Sequence, residues 1–133
     1  MANKQTYPVL SRDREIHEIN ISWAPNGTSA VSSTRGSGIR GRGFSVARTG
    51  VGVFQITIDD NYPEYAIVGF QMAFQLNAAA QYTGVLTGSA NLSSSRVITV
   101  TVLDSTPAAA DIAANANNRI FVKLTLANAS VGV

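Results

Sequence analysis

The feature that most constrains this chain is an alternation of large apolar residues with smaller or polar ones. It is clearest in one segment, where every second residue is large and apolar: Val68, Phe70, Met72, Phe74 and Leu76. Successive side chains of an extended strand point to opposite faces, so this spacing places all five on one face of a β-strand. We predict that this strand lies at the centre of the core.

Further segments have the same period. They are rich in β-branched and aromatic residues and are separated by Gly, Pro and Asn, which favour turns. Residues 48–52 form a short Gly-containing link between two of these strands, which predicts a β-hairpin. The residues predicted to face the core are Ile19, Ile21 and Trp23; Phe44 and Val46; Phe54, Ile56 and Ile58; Ile98, Val100 and Val102; and Ile120, Val122, Leu124 and Leu126.

About six to eight short strands without alternating helices predict an all-β fold, either an antiparallel β-sandwich or a jelly-roll-like barrel. Thr106 followed by Pro107 is typical of a helix start, and we expect a helix of at most about two turns there. The length of 133 residues fits one domain. We assign that domain to residues 15–127, with an N-terminal arm at 1–14 and a C-terminal tail at 128–133 that fall outside the pattern.

Charged residues make up only 14% of the chain, against about 25% in an ordinary soluble domain. A surface with few ions costs little to desolvate when a partner docks, which favours a role inside an assembly. A secreted monomer with an uncharged polar coat has the same composition. The net charge of +2 is too small to indicate nucleic-acid binding.

Residues suited to catalysis or metal binding are sparse. The absence of cysteine excludes disulfides, thiolate metal sites and a cysteine nucleophile. The single histidine, His17, excludes sites that need two, and we expect it at the surface because the apolar alternation begins only at Ile19. Asp59, Asp60 and Glu64 form the densest carboxylate group, but their spacing matches no EF-hand loop and favours a solvated turn. We therefore expect no enzyme activity, no cofactor and no metal.

The sequence offers no membrane segment and no signal peptide. Residues 1–14 are polar, and no apolar stretch approaches the ~18 residues that cross a bilayer. We expect no membrane partner and synthesis without Sec export.

The best candidates for subunit contacts are arginines. Residues 35–43 combine Arg35, Arg40 and Arg42 with glycines, which predicts a flexible basic loop that pairs with acidic groups on a partner. Such a string can also follow phosphates, but residues 35–43 contain no aromatic stacking partner before Phe44 and no phosphate-loop motif, which disfavours nucleic acid. The remaining candidates are Arg12 and Arg14 in the N-terminal arm, and the long polar segment 77–95 is a possible contact loop.

Two segments resemble small structural proteins of bacteriophage virions. Residues 43–58 (GFSVARTGVGVFQITI) have the strand, Arg-Thr-Gly turn and second strand that recur in this group, and residues 118–128 (NRIFVKLTLAN) look like its closing strand. Together they cover about a fifth of the chain. The resemblance implies a capsid decoration, or cement, protein.

That resemblance implies a compact β domain, usually a homotrimer, that is made in the host cytoplasm and clamps neighbouring subunits of the major capsid protein on the virion surface. A tail or neck component would suit the same hairpin. A carbohydrate- or receptor-binding module is a further alternative, for which Tyr62, Tyr65 and Tyr82 are candidate platforms.

Overall fold

The computed structural model describes residues 16–59, 65–88 and 96–128, which form eight β-strands and contain no helix. Consequently, no helix in these ranges is long and apolar enough to cross a membrane. The strands are β1 (Ile16–Trp23), β2 (Ile39–Arg40), β3 (Phe44–Gly50), β4 (Val53–Ile58), β5 (Tyr65–Gln75), β6 (Thr83–Thr87), β7 (Val97–Leu103) and β8 (Arg119–Asn128).

The strands form two antiparallel four-stranded sheets. Sheet I has the order β2-β1-β8-β5, and sheet II has the order β3-β4-β7-β6. The sheets are not closed into a barrel, so of the two predicted architectures the sandwich is the one observed. The predicted hairpin is confirmed as β3–β4, in which Phe44 pairs with Ile58 and Val46 with Ile56.

The core lies between the inner faces of the two sheets, where the alternating apolar residues meet. The ring of Trp23 from sheet I packs against Phe54 from sheet II, with 5.2 Å between ring centroids. Burial of these side chains removes their apolar surface from water, which is the main favourable term in folding. The buried apolar residues of the strands are Ile21, Trp23, Ile39, Phe44, Val46, Phe54, Ile56, Ile58, Ile98, Val100, Val102, Ile120, Val122, Leu124 and Leu126.

The prediction that β5 is the central strand is wrong. It lies at the edge of sheet I, where β8 is its one hydrogen-bonded neighbour, and β8 occupies an interior position between β1 and β5. The chain bulges between Ile67 and Gly69, which turns Val68 to solvent with 63% of its surface exposed. Ile67 packs against the core instead. Phe70, Met72, Phe74 and Leu76 also pack against it but are only partly buried.

The segment 77–95 is not one contact loop, because its described part contains β6. The backbone N–H of Asn77 donates a 2.7 Å hydrogen bond to Oδ1 of the buried Asn118. Farther along, Gly84 touches the edge of sheet I so closely that a Cβ there would lie 2.0 Å from Sδ of Met72. The start of this segment and β6 are therefore parts of the packed domain.

The expected helix at Thr106 and Pro107 is also wrong. The Asp104 carboxylate accepts hydrogen bonds from the Thr106 N–H (2.8 Å) and hydroxyl (2.6 Å), and the Asp104 N–H donates to the Ala108 carbonyl (2.9 Å). The Thr106 hydroxyl, followed by the Thr106 and Ala108 N–H groups, lowers the pKa of Asp104 from its ordinary value. An aspartate that captures nearby backbone donors favours a turn over a helix.

The outer faces of the two sheets differ in charge. The outer face of sheet I carries Glu18, Arg40, Arg119 and Lys123. The four strands of sheet II contain a single charged residue, Arg48, which is paired with Asp111. We call the outer face of sheet II the charge-free face; its residues are Ser45, Ala47, Val53, Gln55, Thr57, Thr83, Val85, Thr87, Val97, Thr99, Thr101 and Leu103.

Candidate functional site

The candidate site is organised around a buried arginine at the start of β8. Arg119 is only 5% exposed, and its guanidinium donates to the Ser22 hydroxyl (3.0 Å) and to the carbonyls of Ser37 (3.1 Å) and Gly36 (3.3 Å). Burial lowers the pKa of Arg119 from its ordinary value, and the nearby positive charge of Arg40 lowers it further. Arginine remains protonated nonetheless. This buried cation therefore binds the carbonyls of the segment above it.

That segment, residues 35–43, is folded rather than free, which corrects the prediction of a flexible loop. The N–H of Gly36 donates to Ile39 O and the N–H of Gly38 donates to Thr34 O, both at 2.8 Å. A Cβ on Gly38 would lie 2.1 Å from the Ser32 carbonyl oxygen, so only glycine permits this close approach. We call residues 35–43 the Arg–Gly turn. Its glycines serve chain packing, and Arg119 beneath it supplies the donors that fix it.

The structure separates the predicted contact arginines. Arg35 donates to the Gly41 carbonyl within the turn, and Arg40 uses Nε for a 3.0 Å bond to Gly36 O. The two terminal nitrogens of Arg40 are not used by that bond. Arg42 is exposed and forms no ion pair or hydrogen bond within the described ranges. Arg12 and Arg14, with the rest of the N-terminal arm, lie outside the described residues.

Arg40 belongs to a row of residues that crosses sheet I. In this row Arg40 pairs with Ser22, Ser22 with Phe121, and Phe121 with Ala73. Because Ser22 and Ala73 are small, the ring of Phe121 stands uncovered between them and is 38% exposed. A shallow cavity of about 420 Å³ results, which we call the Phe121 depression. It is lined by Asn20, Ser22, Arg40, Gly41, Gln71, Ala73, Phe121 and Lys123, with Ile21 and Val122 beneath.

The rim of the depression is basic and polar. Lys123 lies two residues from Phe121 on the same face, and its Nζ is 3.1 Å from Oε2 of Glu18. The Lys123 side chain is 48% exposed, so this pair is screened by water and contributes little to stability. Lys123 can therefore exchange Glu18 for another carboxylate at low cost. An aromatic ring between two cations suits an apolar side chain flanked by acidic ones.

Sequence reasoning selected Arg40 but missed Phe121 and Lys123. The signal for Phe121 was available, because it alternates with Ile120 and Val122 and an aromatic residue on the outward side of a strand is exposed. The proximity of Arg40 to Phe121 was not predictable, since it depends on the cross-strand register that places β1 between β2 and β8.

The other predicted positions form no reactive cluster in the described ranges. His17 lies in β1, exposed as predicted. The Asp59 carbonyl accepts a 2.7 Å hydrogen bond from Arg96, whereas Asp60 and Glu64 lie outside the described residues. No group of three or more His, Cys, Asp or Glu side chains suited to a metal occurs among the residues described.

The aromatic residues proposed as carbohydrate platforms are placed unfavourably where they are described. A larger cavity of about 740 Å³ lies beside Tyr82, but the ring of Tyr82 packs against Phe74 at 5.8 Å between centroids. Asp104, which also lines this cavity, already binds its own turn. Tyr62 lies outside the described residues, and Tyr65 is placed only as the first residue of β5.

Comparisons of the chain with protein-family models, with curated proteins and with solved structures find no match. The features that bear on function are the chemistry of the two outer faces and, above all, the Phe121 depression.

Proposed function

We propose that this chain is a non-enzymatic structural subunit of a bacteriophage virion that binds the assembled capsid lattice and stabilises it, as decoration proteins do. The single observation that carries the proposal is the Phe121 depression, an exposed aromatic ring between Arg40 and Lys123 on a rigid sheet. The partner we propose is an acidic surface of the major capsid protein.

The depression has the composition of an energetic centre in a protein interface. Aromatic and arginine side chains contribute most to binding when they fill a pocket and lose their water, while a polar rim excludes solvent. Phe121 supplies apolar contact, and Arg40, which uses only Nε for the Gly36 carbonyl, has its terminal nitrogens available for a carboxylate of the partner. Asn20 and Gln71 add amide groups that bond peptide backbone.

The surrounding structure supports a rigid binding surface. Arg40 is held by the Gly36 carbonyl, and the Arg–Gly turn is held by Arg119, so little side-chain freedom is lost on binding. A protein that binds only the assembled lattice stabilises it by RT ln(1 + [L]/Kd), about 2.7 kcal/mol per site at a hundred times Kd. Repetition over a symmetric lattice multiplies this gain.

A tail or neck component would use the same surface in the same way, and the partner alone distinguishes it. A carbohydrate-binding module is less well supported, because Trp23 is fully buried and Tyr82 stacks on Phe74. Capsid decoration is therefore the proposal that we test.

The test mixes the purified full-length chain with capsids of its own virus and measures co-sedimentation. We expect saturable binding and increased resistance of the capsids to heat. Phe121→Ala should weaken binding by roughly tenfold or more, because the ring provides the apolar contact at the centre of the site. The matched control is Val68→Ala, which also shortens an exposed apolar side chain of sheet I but lies outside the depression.

If the wild-type protein binds tail or neck fractions but not capsids, the chain is a tail or neck component instead of a decoration protein. Binding to none of these fractions would contradict the proposal. Equal affinities for Phe121→Ala and Val68→Ala, in proteins that unfold at the same temperature, would remove the depression from the interface.

A further inference from the structure

We propose that the charge-free face of sheet II binds a second copy of this chain. This face lies on the opposite side of the sandwich from the Phe121 depression, and the inference does not depend on lattice binding. Its central row crosses all four strands through Ala47, Gln55, Thr99 and Thr87. Outward positions on four adjacent strands therefore form one surface without a charged side chain.

The hydrogen-bonding groups of this face are complementary to themselves. A threonine hydroxyl and a glutamine amide each contain a donor and an acceptor, so Thr99 and Gln55 can bond to the same residues of another copy. Arginine and lysine only donate. Two Phe121 depressions placed face to face would bring the cations Arg40 and Lys123 of one copy toward those of the other, and no carboxylate lines the depression to separate them. The chemistry of the two faces thus selects sheet II for self-association.

Charge leads to the same choice. Each copy carries a net charge of +2, so copies repel one another wherever cations face each other. Arg48, the one charged residue in the strands of sheet II, is neutralised by Asp111 through bonds of 2.9 and 2.7 Å. An acidic partner would find no cation to pair with on this face. A second copy would meet no like charge there, because the face carries no charge. A second copy is therefore the occupant that the charges favour.

Apolar contact is present but limited. Val85 and Val97 are 37% and 38% exposed, and their branched side chains lose little freedom on binding. Four strands at about 4.8 Å spacing and five to seven residues at about 3.3 Å give a face of roughly 400 Å² in projection. A standard interface buries about 800 Å² per partner. The association should therefore be weak in solution, with a micromolar dissociation constant, and become effective where a lattice raises the local concentration.

The test measures self-association of the full chain without capsids, by sedimentation equilibrium from micromolar to millimolar concentration. We expect reversible oligomers of the wild type. Gln55→Glu keeps the shape of the side chain but places facing carboxylates in the interface, so association should weaken by about tenfold or more. Gln75→Glu is the matched control: the same change at an exposed glutamine on the outer face of sheet I that does not line the Phe121 depression, and it should associate like wild type.

A second matched pair of variants distinguishes a specific loss of self-association from misfolding. Thr99→Lys and Thr125→Lys change partly buried threonines at mid-strand positions of sheets II and I, and only Thr99→Lys should abolish self-association. A wild type that is monomeric at every concentration would overturn the proposal, as would undiminished association of Gln55→Glu. If the wild type is monomeric but Gln55→Glu no longer co-sediments with capsids, the charge-free face binds the lattice and not a second copy. The proposal of self-association is then wrong, whereas the proposal of lattice binding is retained.

Discussion

The two outer faces of the sandwich are built from strands of the same kind but present opposite chemistries. Sheet I displays an aromatic ring between Arg40 and Lys123, next to a turn fixed by the buried Arg119. Sheet II displays threonine, valine and glutamine, and its one strand cation is hidden by Asp111. Charge rather than hydrophobicity distinguishes them, because Phe121 and Val97 are equally exposed.

This difference shows how a small domain can assign two partners to two surfaces. A basic face repels its own copies and attracts acidic proteins, whereas a face without ions costs little to desolvate and accepts a copy of itself. In the described strands the charged residues are thus unevenly distributed: sheet I contains Glu18, Arg40, Arg119 and Lys123, whereas sheet II contains Arg48 alone.

The largest effect is expected from Arg40→Glu. The reversed charge would face the acidic partner that we propose, and like-charge contacts cost several kcal/mol, so lattice affinity should fall by about a hundredfold. Self-association through sheet II should not change. Co-sedimentation with capsids and sedimentation equilibrium measure the two properties. The control is Arg96→Glu, an exposed arginine that does not line the depression; equal loss in both variants would show that net charge, not this site, governs binding.

A smaller effect, about tenfold, is expected from Arg119→Lys. Lysine retains the charge but lacks the planar fork that bonds Ser22, Ser37 and Gly36 together, so the Arg–Gly turn should loosen and Arg40 lose its position. Hydrogen exchange of the Gly36 and Gly38 amides should accelerate along with the loss of lattice affinity. Unchanged exchange with unchanged affinity would show that Arg119 does not fix the site.

The strand residues of the core were largely predictable from the alternation, since most of the expected inward residues of β1, β3, β4, β7 and β8 are buried. The order of the strands was not. Alternation reports which residues share a face but not which strands are neighbours, so β5, the segment with the clearest alternation, was assigned to the centre although it lies at an edge. The bulge turned Val68 to solvent, and its one local sign was Gly69, because an isolated glycine within a strand pattern often marks a bulge.

The candidate site was predictable only in part. Arg40 was selected from its glycine-rich surroundings, and Phe121 had a signal in its outward position. The role of Arg119 had no signal in the sequence. An arginine at the start of a strand gives no sign that a turn containing Gly38, 81 residues earlier, will fold over it. Long-range contacts of this kind depend on the register between β1 and β8.

A modest effect on stability is expected from Asp111→Asn. The Arg48 hydrogen bonds, together with one from the Gly52 N–H, hold the pKa of the Asp111 carboxyl below its ordinary value. Stability from this charge is therefore fully present above the carboxyl's ordinary pKa of about 3.9 and is lost as pH falls through the lower folded-state value. The melting temperature of the variant should lie below wild type at pH 7, and the difference should shrink below about pH 4. A difference independent of pH would contradict this account of the ion pair.

We expect no effect on capsid protection from His17→Ala. The side chain lies in β1 away from the Phe121 depression, and the proposed function contains no step that needs a base. Capsid protection against heat should match wild type. In a parallel screen for cleavage of peptidoglycan, polysaccharide and nucleic acid, robust turnover that disappears in His17→Ala would contradict the non-enzymatic proposal.

The most direct test of the central claim is a salt titration of both interactions in the same protein. Lattice affinity and the self-association constant would be measured as NaCl rises from about 0.05 to 0.5 M, a range over which screening between exposed charges becomes strong. The account predicts that lattice affinity falls steadily while self-association stays constant or strengthens, because salt screens the ion pairs of sheet I and the mutual repulsion of the copies. A parallel fall of both, or lattice binding that salt does not weaken, would contradict the assignment of the two faces by charge.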